Sequence, residues 1–216
     1  MQKNSVNNWD DSAVKRAEST WGDDYPPYVK NMFDFALQGG KSYLDLGCGF
    51  GRFFSYAVDN FGDFNYIGYD SSISMLNRLR EKYPDYELCF IERNITETFL
   101  HCQQSVLSSA VFIHLTIEDQ RKILSNIYSI KPLSIVFDIN CPTEIEIANL
   151  EAQNLESYER FIFAGSESGG FRMTWQSHGK TTQYLLQNFR EYNLTVEFYD
   201  LKLGRHKVVY YLTRKD

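Results

Sequence analysis

The stretch YLDLGCGFGRF, residues 43–53, decides how this chain is read. An apolar run carrying one carboxylate, Asp45, leads into three glycines at alternate positions, Gly47, Gly49 and Gly51. A helical pattern then starts at Arg52. Glycines let the backbone turn sharply and let a ligand approach main-chain N–H groups without meeting a Cβ. Strand, glycine loop and helix in that order form the ligand end of an open parallel sheet, beyond the carboxyl ends of its strands. About 20 residues later, where such folds place an acid for a ribose, the strand-like run NYIGYD (65–70) closes on Asp70.

The spacing separates two ligand classes. A dinucleotide loop places its glycines as G-x-G-x-x-G, and its pyrophosphate wants no carboxylate nearby. Here the pattern is G-x-G-x-G, and Asp45 stands two residues before the first glycine. A carboxylate there repels phosphate, but it accepts hydrogen bonds from a cationic amine, directly or through water. Both features point away from NAD.

Working outward, residues 10–19 and 26–38 carry helical patterns, with YPPY (25–28) between them. That motif is a helix start, because proline suits the first helical turn, and the glycine pair 39–40 ends the second helix. Helical spacing returns at Ile73, Leu76 and Leu79. Strands are predicted at 86–92 (YELCFIE), 105–111 (SVLSSAV) and 133–139 (LSIVFDI). Thr116 and Asp119 form a capping pair for the helix between the last two. Strands alternating with helices imply right-handed crossovers and a mostly parallel sheet covered on both faces. The C-terminus departs from that rule. LTVEFYDLKL (194–203) and KVVYYLTRK (207–215) are separated by three residues, too few for a parallel crossover, so they pair as an antiparallel hairpin behind a helix at about 180–192. Residues 141–179, with GSESGG at 165–170, read as an irregular insertion or lid. The expected fold is α/β, Rossmann-like and doubly wound, with a seven-stranded, mostly parallel sheet ending in that hairpin.

Composition sets the outer bounds. The 216 residues suffice for one sizeable core, and 43% hydrophobic with 16% aromatic content is globular rather than disordered. The expectation is a single domain over 1–216, with residues 1–40 as a helical cap and 141–179 as the insertion. A net charge of −6 disfavours a phosphate-neutralising surface, and with it nucleic acid as the main partner. No apolar run reaches the roughly 20 residues of a membrane span, and MQKNSVNNWDD (1–11) lacks the apolar core of a signal peptide. Cys48, Cys89, Cys102 and Cys141 are widely spaced with no C-x-x-C pair. They read as reduced thiols of a cytoplasmic protein with no metal site.

Taken in order, LDLGCGFG (44–51), YIGYDSSISML (66–76), SSAVFIHL (108–115) with its following helix, and the terminal hairpin resemble the class I S-adenosylmethionine-dependent methyltransferases. The resemblance spans about residues 42–139 and 180–215. It implies S-adenosylmethionine as methyl donor, S-adenosylhomocysteine as product and no metal. It places Gly47, Gly49 and Gly51, with Cys48 filling the loop, around the methionine part of the ligand. Asp45 then supports the amino group, and Asp70 takes the ribose hydroxyls. Ser71, Ser72 and Met75 fall beside the adenosine, and Asn94 and Ile95 beside the adenine. Many members carry Asp where this chain has Asn94, whose amide oxygen retains the ability to accept. IKPLS (130–134) departs from the family's Gly-Gly turn before the fifth strand.

The acceptor side is less marked. His114 follows the fourth strand at the ligand edge and is a candidate base or acceptor-orienting group; the alternative is a histidine bonded to backbone. Arg172, Trp175 and His178 are candidate acceptor-pocket residues, or parts of a packed excursion. The expected acceptor is a small molecule or a sugar or glycan precursor, and its identity and the oligomeric state are not written in the sequence. Two other classes fit the same loop: a regulator or pseudoenzyme that binds the S-adenosyl ligand without turnover, and an NAD-dependent oxidoreductase.

Overall fold

The computed structural model describes residues 25–101, 103–163, 170–201 and 204–216, with backbone alone for 159–163 and 170–172. The helix expected at 10–19, Cys102 and most of GSESGG lie outside the described residues. Helix α1 (Pro27–Gln38) starts with proline in its first turn, as YPPY predicts, and stops where Gly39 donates to the Ala36 carbonyl and Gly40 takes a φ of 144°. Then follow β1 (Ser42–Leu46), α2 (Arg52–Asn60), β2 (Asn65–Asp70), α3 (Ile73–Lys82), β3 (Phe90–Glu92), β4 (Ser105–Ser108), α4 (Ile117–Ile130) and β5 (Ser134–Cys141).

These five strands are parallel in the order β3-β2-β1-β4-β5. The winding reverses beside β1, at the strand that precedes the glycine loop. Alternation along β1 sends Tyr43 and Asp45 toward α1, α2 and α3, and Leu44 and Leu46 toward α4. Phe53, Phe54, Tyr66 and Phe90 fill the first layer; Tyr69, Phe112, Ile123, Ile127 and Phe137 fill the second. β5 is buried at all eight positions, so its near-continuous apolar run is that of a central strand.

The chain ends in helix α6 (His178–Asn188) and the antiparallel strands β8 (Tyr192–Asp200) and β9 (His206–Arg214). β9 pairs antiparallel along the whole of β5, completing the expected seven-stranded arrangement. The segment expected to be irregular is structured. It forms helix α5 (Glu144–Ala152), closed by a capping box between Thr143 and Glu146, and the antiparallel hairpin β6 (Ser157–Phe163) and β7 (Gly170–Gln176). β7 joins β5 in parallel at Asn140 and Trp175, so among the described residues the sheet has nine strands. Residues 84–89 form a 3-10 turn rather than the start of β3, and β4 stops at Ser108 rather than 111. Among the described residues no helix is long and apolar enough to cross a membrane.

Candidate functional site

The glycine loop crosses from β1 to α2 with Gly47, Gly49 and Gly51 at φ values of 74°, 54° and 82°, the left-handed region in which a side chain is strained. At Gly47 a Cβ would sit 2.4 Å from Val111, and at Gly51 2.2 Å from Leu79. Those two glycines let the loop pack down on its neighbours. Gly49 differs, because its nearest neighbour is the Met75 sulfur at 3.9 Å, so the space above it is open. Gly47 and Cys48 both donate to the Tyr69 carbonyl, which fixes the loop to the end of β2.

Asp70 holds the other side of that opening. Its Oδ2 accepts from the Gly49 N–H and its Oδ1 from the Ser72 N–H, both at 2.8 Å. Burial pushes its carboxyl above the ordinary value, while the amides of Ser72, Gly49 and Ser71 pull it down. The residue as a whole is only partly buried, so the carboxylate, with about four lone-pair sites, keeps acceptor capacity toward the opening. Ser72 caps α3 by accepting from the Met75 N–H, and this sets Met75 under the loop.

Asp45 is 4% exposed and accepts from the Tyr66 hydroxyl at 2.8 Å. Burial pushes its carboxyl up to about 7; the Tyr66 hydrogen bond and the Arg52 charge act downward, and Asp70 acts upward. Cys48 is buried beside the same cluster, and burial raises its thiol well above the ordinary range, which leaves it a packing residue. Contacts thus join Gly49, Asp70, Ser72 and Met75 into one rim, with the exposed Ser71 beside them. Asp45 and Cys48 are buried and share Tyr66 as a neighbour. Asn94 and Ile95 stand after β3, but the Asn94 oxygen turns back to accept from the backbone and hydroxyl of Thr96. Ile95 is buried in the core beside Tyr69 and Phe99.

On the acceptor side, His114 ends a short 3-10 turn after β4, half-buried, with its N–H on the Val111 carbonyl. The Thr174 hydroxyl donates to the Leu115 carbonyl at 2.8 Å, so β7 lies against the His114 turn. Trp175, also on β7, is buried with the Arg205 guanidinium 4.7 Å from its ring centre. Arg205 in turn pairs with Glu146 at 3.0 Å, and Tyr158 donates to the same carboxylate, holding it down to about 2. This network ties the insertion to the terminal hairpin. The backbone of Arg172 pairs with that of Phe161 in the β6–β7 register. His178 is set apart from them: its Nδ1 lies 3.4 Å from the Cys141 sulfur, its ring is edge-on to Phe198, and burial lowers its basicity.

One polar pair at this edge has no counterpart in the sequence reading. Lys207 Nζ lies 2.7 Å from Asp138 Oδ2, with side-chain exposures of 6% and 0%. Asp138 Oδ1 also accepts from the N–H of Ala110, a non-glycine residue at φ 60°. The pair therefore anchors the turn whose next residue, Val111, packs on Gly47. The available signal was a carboxylate inside the fully buried run SIVFDINC, which demands a cationic partner. Among the described residues no three His, Cys, Asp or Glu side chains gather in a way that could hold a metal ion.

A family model described as a methyltransferase domain matches residues 44–131. No curated protein matches the chain. Many solved structures do. The magnesium protoporphyrin IX methyltransferase of Synechocystis, with bound S-adenosylhomocysteine, is 14% identical with a TM-score of 0.62, covering 96% of each chain. An S-adenosylmethionine-dependent methyltransferase of Clostridium acetobutylicum is 13% identical with a TM-score of 0.61, covering 95% of this chain and 98% of the other. A glycopeptide N-methyltransferase complexed with S-adenosylhomocysteine is 13% identical with a TM-score of 0.58, covering 93% and 97%. At these identities the likeness is one of fold.

Proposed function

We infer that this chain, a member of the class I S-adenosylmethionine-dependent methyltransferase superfamily, moves a methyl group to a small-molecule or sugar-derived acceptor. The observation that carries the reading is the loop itself: an open left-handed glycine, Gly49, whose N–H is held by Asp70, with the buried carboxylate of Asp45 on the strand that leads into it. S-adenosylmethionine, when bound, supplies a methyl carbon already activated by a positive sulfonium. Two carboxylates and no basic cluster at the loop suit that cationic ligand and its ribose better than a pyrophosphate.

The chain's own residues then have three tasks. Asp45 accepts from the ligand's amino group and Asp70 from its ribose hydroxyls, which fixes the ligand along the loop. The loop packs down on Val111 and Leu79, which leaves Gly49 as its open point for the ligand. Alignment of this kind contributes on the order of 7–11 kcal/mol in a displacement reaction. His114, on the turn after β4, is the residue we assign to orient the acceptor group or take its proton; a positioned base adds typically about 10²–10⁴-fold. The β7 segment bearing Arg172 and Trp175 borders the same turn and forms one wall for the acceptor. His178 lies outside that wall. The glycopeptide and porphyrin acceptors named for two of the structural neighbours are consistent with a discrete molecule as acceptor. Free thiols at Cys48, Cys89 and Cys141 agree with a cytoplasmic setting.

The test is transfer of labelled methyl from S-adenosylmethionine across a panel of small-molecule, sugar and glycan-precursor acceptors. Transfer to a member of the panel, lost in Asp70→Ala, is the expected result. Binding of S-adenosylhomocysteine with no transfer to any acceptor would make the chain a ligand-binding regulator instead.

A further inference from the structure

We propose that Tyr66 is the positioning residue for Asp45: its hydroxyl fixes the carboxylate and favours its charged form for the amino group of the S-adenosyl ligand. The inference rests on the methyltransferase reading above, and it concerns a residue outside the glycine loop and both strand-end acids.

Three features of the structure carry it. The Tyr66 hydroxyl donates to Asp45 Oδ2 at 2.8 Å across the β1–β2 pair. Gly68 stands directly opposite Asp45, and a Cβ there would lie 2.8 Å from the Tyr66 hydroxyl and 2.9 Å from the Cys48 sulfur. Gly68 is extended backbone within β2, so what it provides at this point is space, which the Tyr66 hydroxyl enters to reach the carboxylate. The Tyr66 ring is itself held edge-on by Phe54 at 4.8 Å and by Phe90 at 6.0 Å. A rigid ring placing one hydroxyl on a buried carboxylate is a positioning device, because neither partner has room to turn away.

The electrostatics run the same way. Four groups face Asp45: Tyr66 from β2, Cys48 from the loop, Arg52 from α2 and Asp70 from the end of β2. Burial, with a smaller contribution from Asp70, outweighs the rest and keeps the carboxyl protonated up to about pH 7. The Tyr66 hydrogen bond and the Arg52 charge oppose it. A cationic amine binds only the ionised carboxylate, so ligand affinity rises with pH through the Asp45 titration. Removing the hydroxyl removes one of the two groups that favour ionisation, and the rise moves to higher pH. Hydrogen bonds to charged groups are large enough to move it by about one to two pH units.

The experiment is calorimetric titration of the full chain with S-adenosylhomocysteine from pH 6 to 8.5, for wild type, Tyr66→Phe and Asp45→Asn. Wild type shows affinity climbing through about pH 7. Tyr66→Phe shows the same climb displaced upward, with affinity at pH 7 reduced roughly tenfold and most of the loss recovered at pH 8.5. Asp45→Asn shows no climb. If Tyr66→Phe does not fold, Gly68→Ala crowds the same hydroxyl and is expected to displace the climb in the same direction. A uniform loss of affinity at every pH, or an unmoved climb, would overturn the proposal. Wild type that fails to bind S-adenosylhomocysteine at any pH would instead overturn the methyltransferase reading.

Discussion

Replacing Lys207 by Met tests the buried pair at the ligand edge. Lys207 Nζ is 2.7 Å from Asp138 Oδ2, and both side chains are almost wholly excluded from solvent. Coulomb's law at that separation, with an effective dielectric constant of about 20, gives an attraction of about 6 kcal/mol. Desolvation of both ions offsets part of it, which is why breaking such pairs costs about 3–5 kcal/mol in practice. In Lys207→Met the Asp138 charge stays buried, supported by the Ala110 N–H. The variant is expected to lose about 3–5 kcal/mol in urea unfolding followed by circular dichroism, and about 6–20 °C in Tm for a domain of this size. Adding Asp138→Asn removes the charge while keeping an oxygen for Ala110, so the double variant recovers a large part of the loss. Lys207→Met within 1 kcal/mol of wild type, or a double variant weaker than the single, would refute the reasoning.

Other outcomes follow from the same geometry. Gly49→Ala places a side chain at a left-handed φ in open space and costs about 1–2 kcal/mol, whereas Gly51→Ala adds a clash with Leu79 and costs more; urea melts of the two variants check the order. Asp45 binds its proton up to about pH 7 in the folded chain but only to its ordinary value of 3.8 when unfolded. Between those limits the folded state holds the extra proton, so this contribution to stability falls as pH rises from about 4 to 7. Asp45→Asn removes that slope, and unfolding measured at pH 5, 6.5 and 8 reads it directly. His114→Ala lowers kcat on an identified acceptor by about 10²-fold or more if the histidine moves a proton; unchanged kcat removes it from the chemistry.

The parallel half of the fold was legible because it is written in local signals. β1 is a short apolar run with Asp45 one residue before its end, β2 closes on Asp70, and the glycines after β1 fix the turn. Asp45 and Asp70 could be named as candidate site residues from their spacing with the glycines and from the family resemblance. The partners that hold them could not be, because the Tyr66 hydroxyl reaches Asp45 through a gap left by Gly68, and packing of that kind has no periodicity. Lys207 escaped for a related reason. It stands 69 residues after Asp138 and meets it only because β9 runs antiparallel beside β5. The insertion was misjudged because GSESGG outweighed the flanking runs SYERFIF and GFRMTWQ, which pair with each other across it. Tyr86 to Cys89 read as strand from composition, yet the chain takes a 3-10 turn there after Pro84. His178 and Trp175 read either as pocket residues or as parts of a packed excursion, and their contacts, His178 to Cys141 and Phe198 and Trp175 to Arg205, come from distant segments that local sequence does not reveal.

We infer that Asp45, Gly49 and Asp70 hold an S-adenosyl ligand. Calorimetric titration of the chain with S-adenosylhomocysteine at pH 8, beside NAD+, tests it most directly. The expected result is saturable one-to-one binding of S-adenosylhomocysteine, its loss in folded Asp70→Ala, and no response to NAD+. Tight binding of NAD+ with no response to S-adenosylhomocysteine would contradict it.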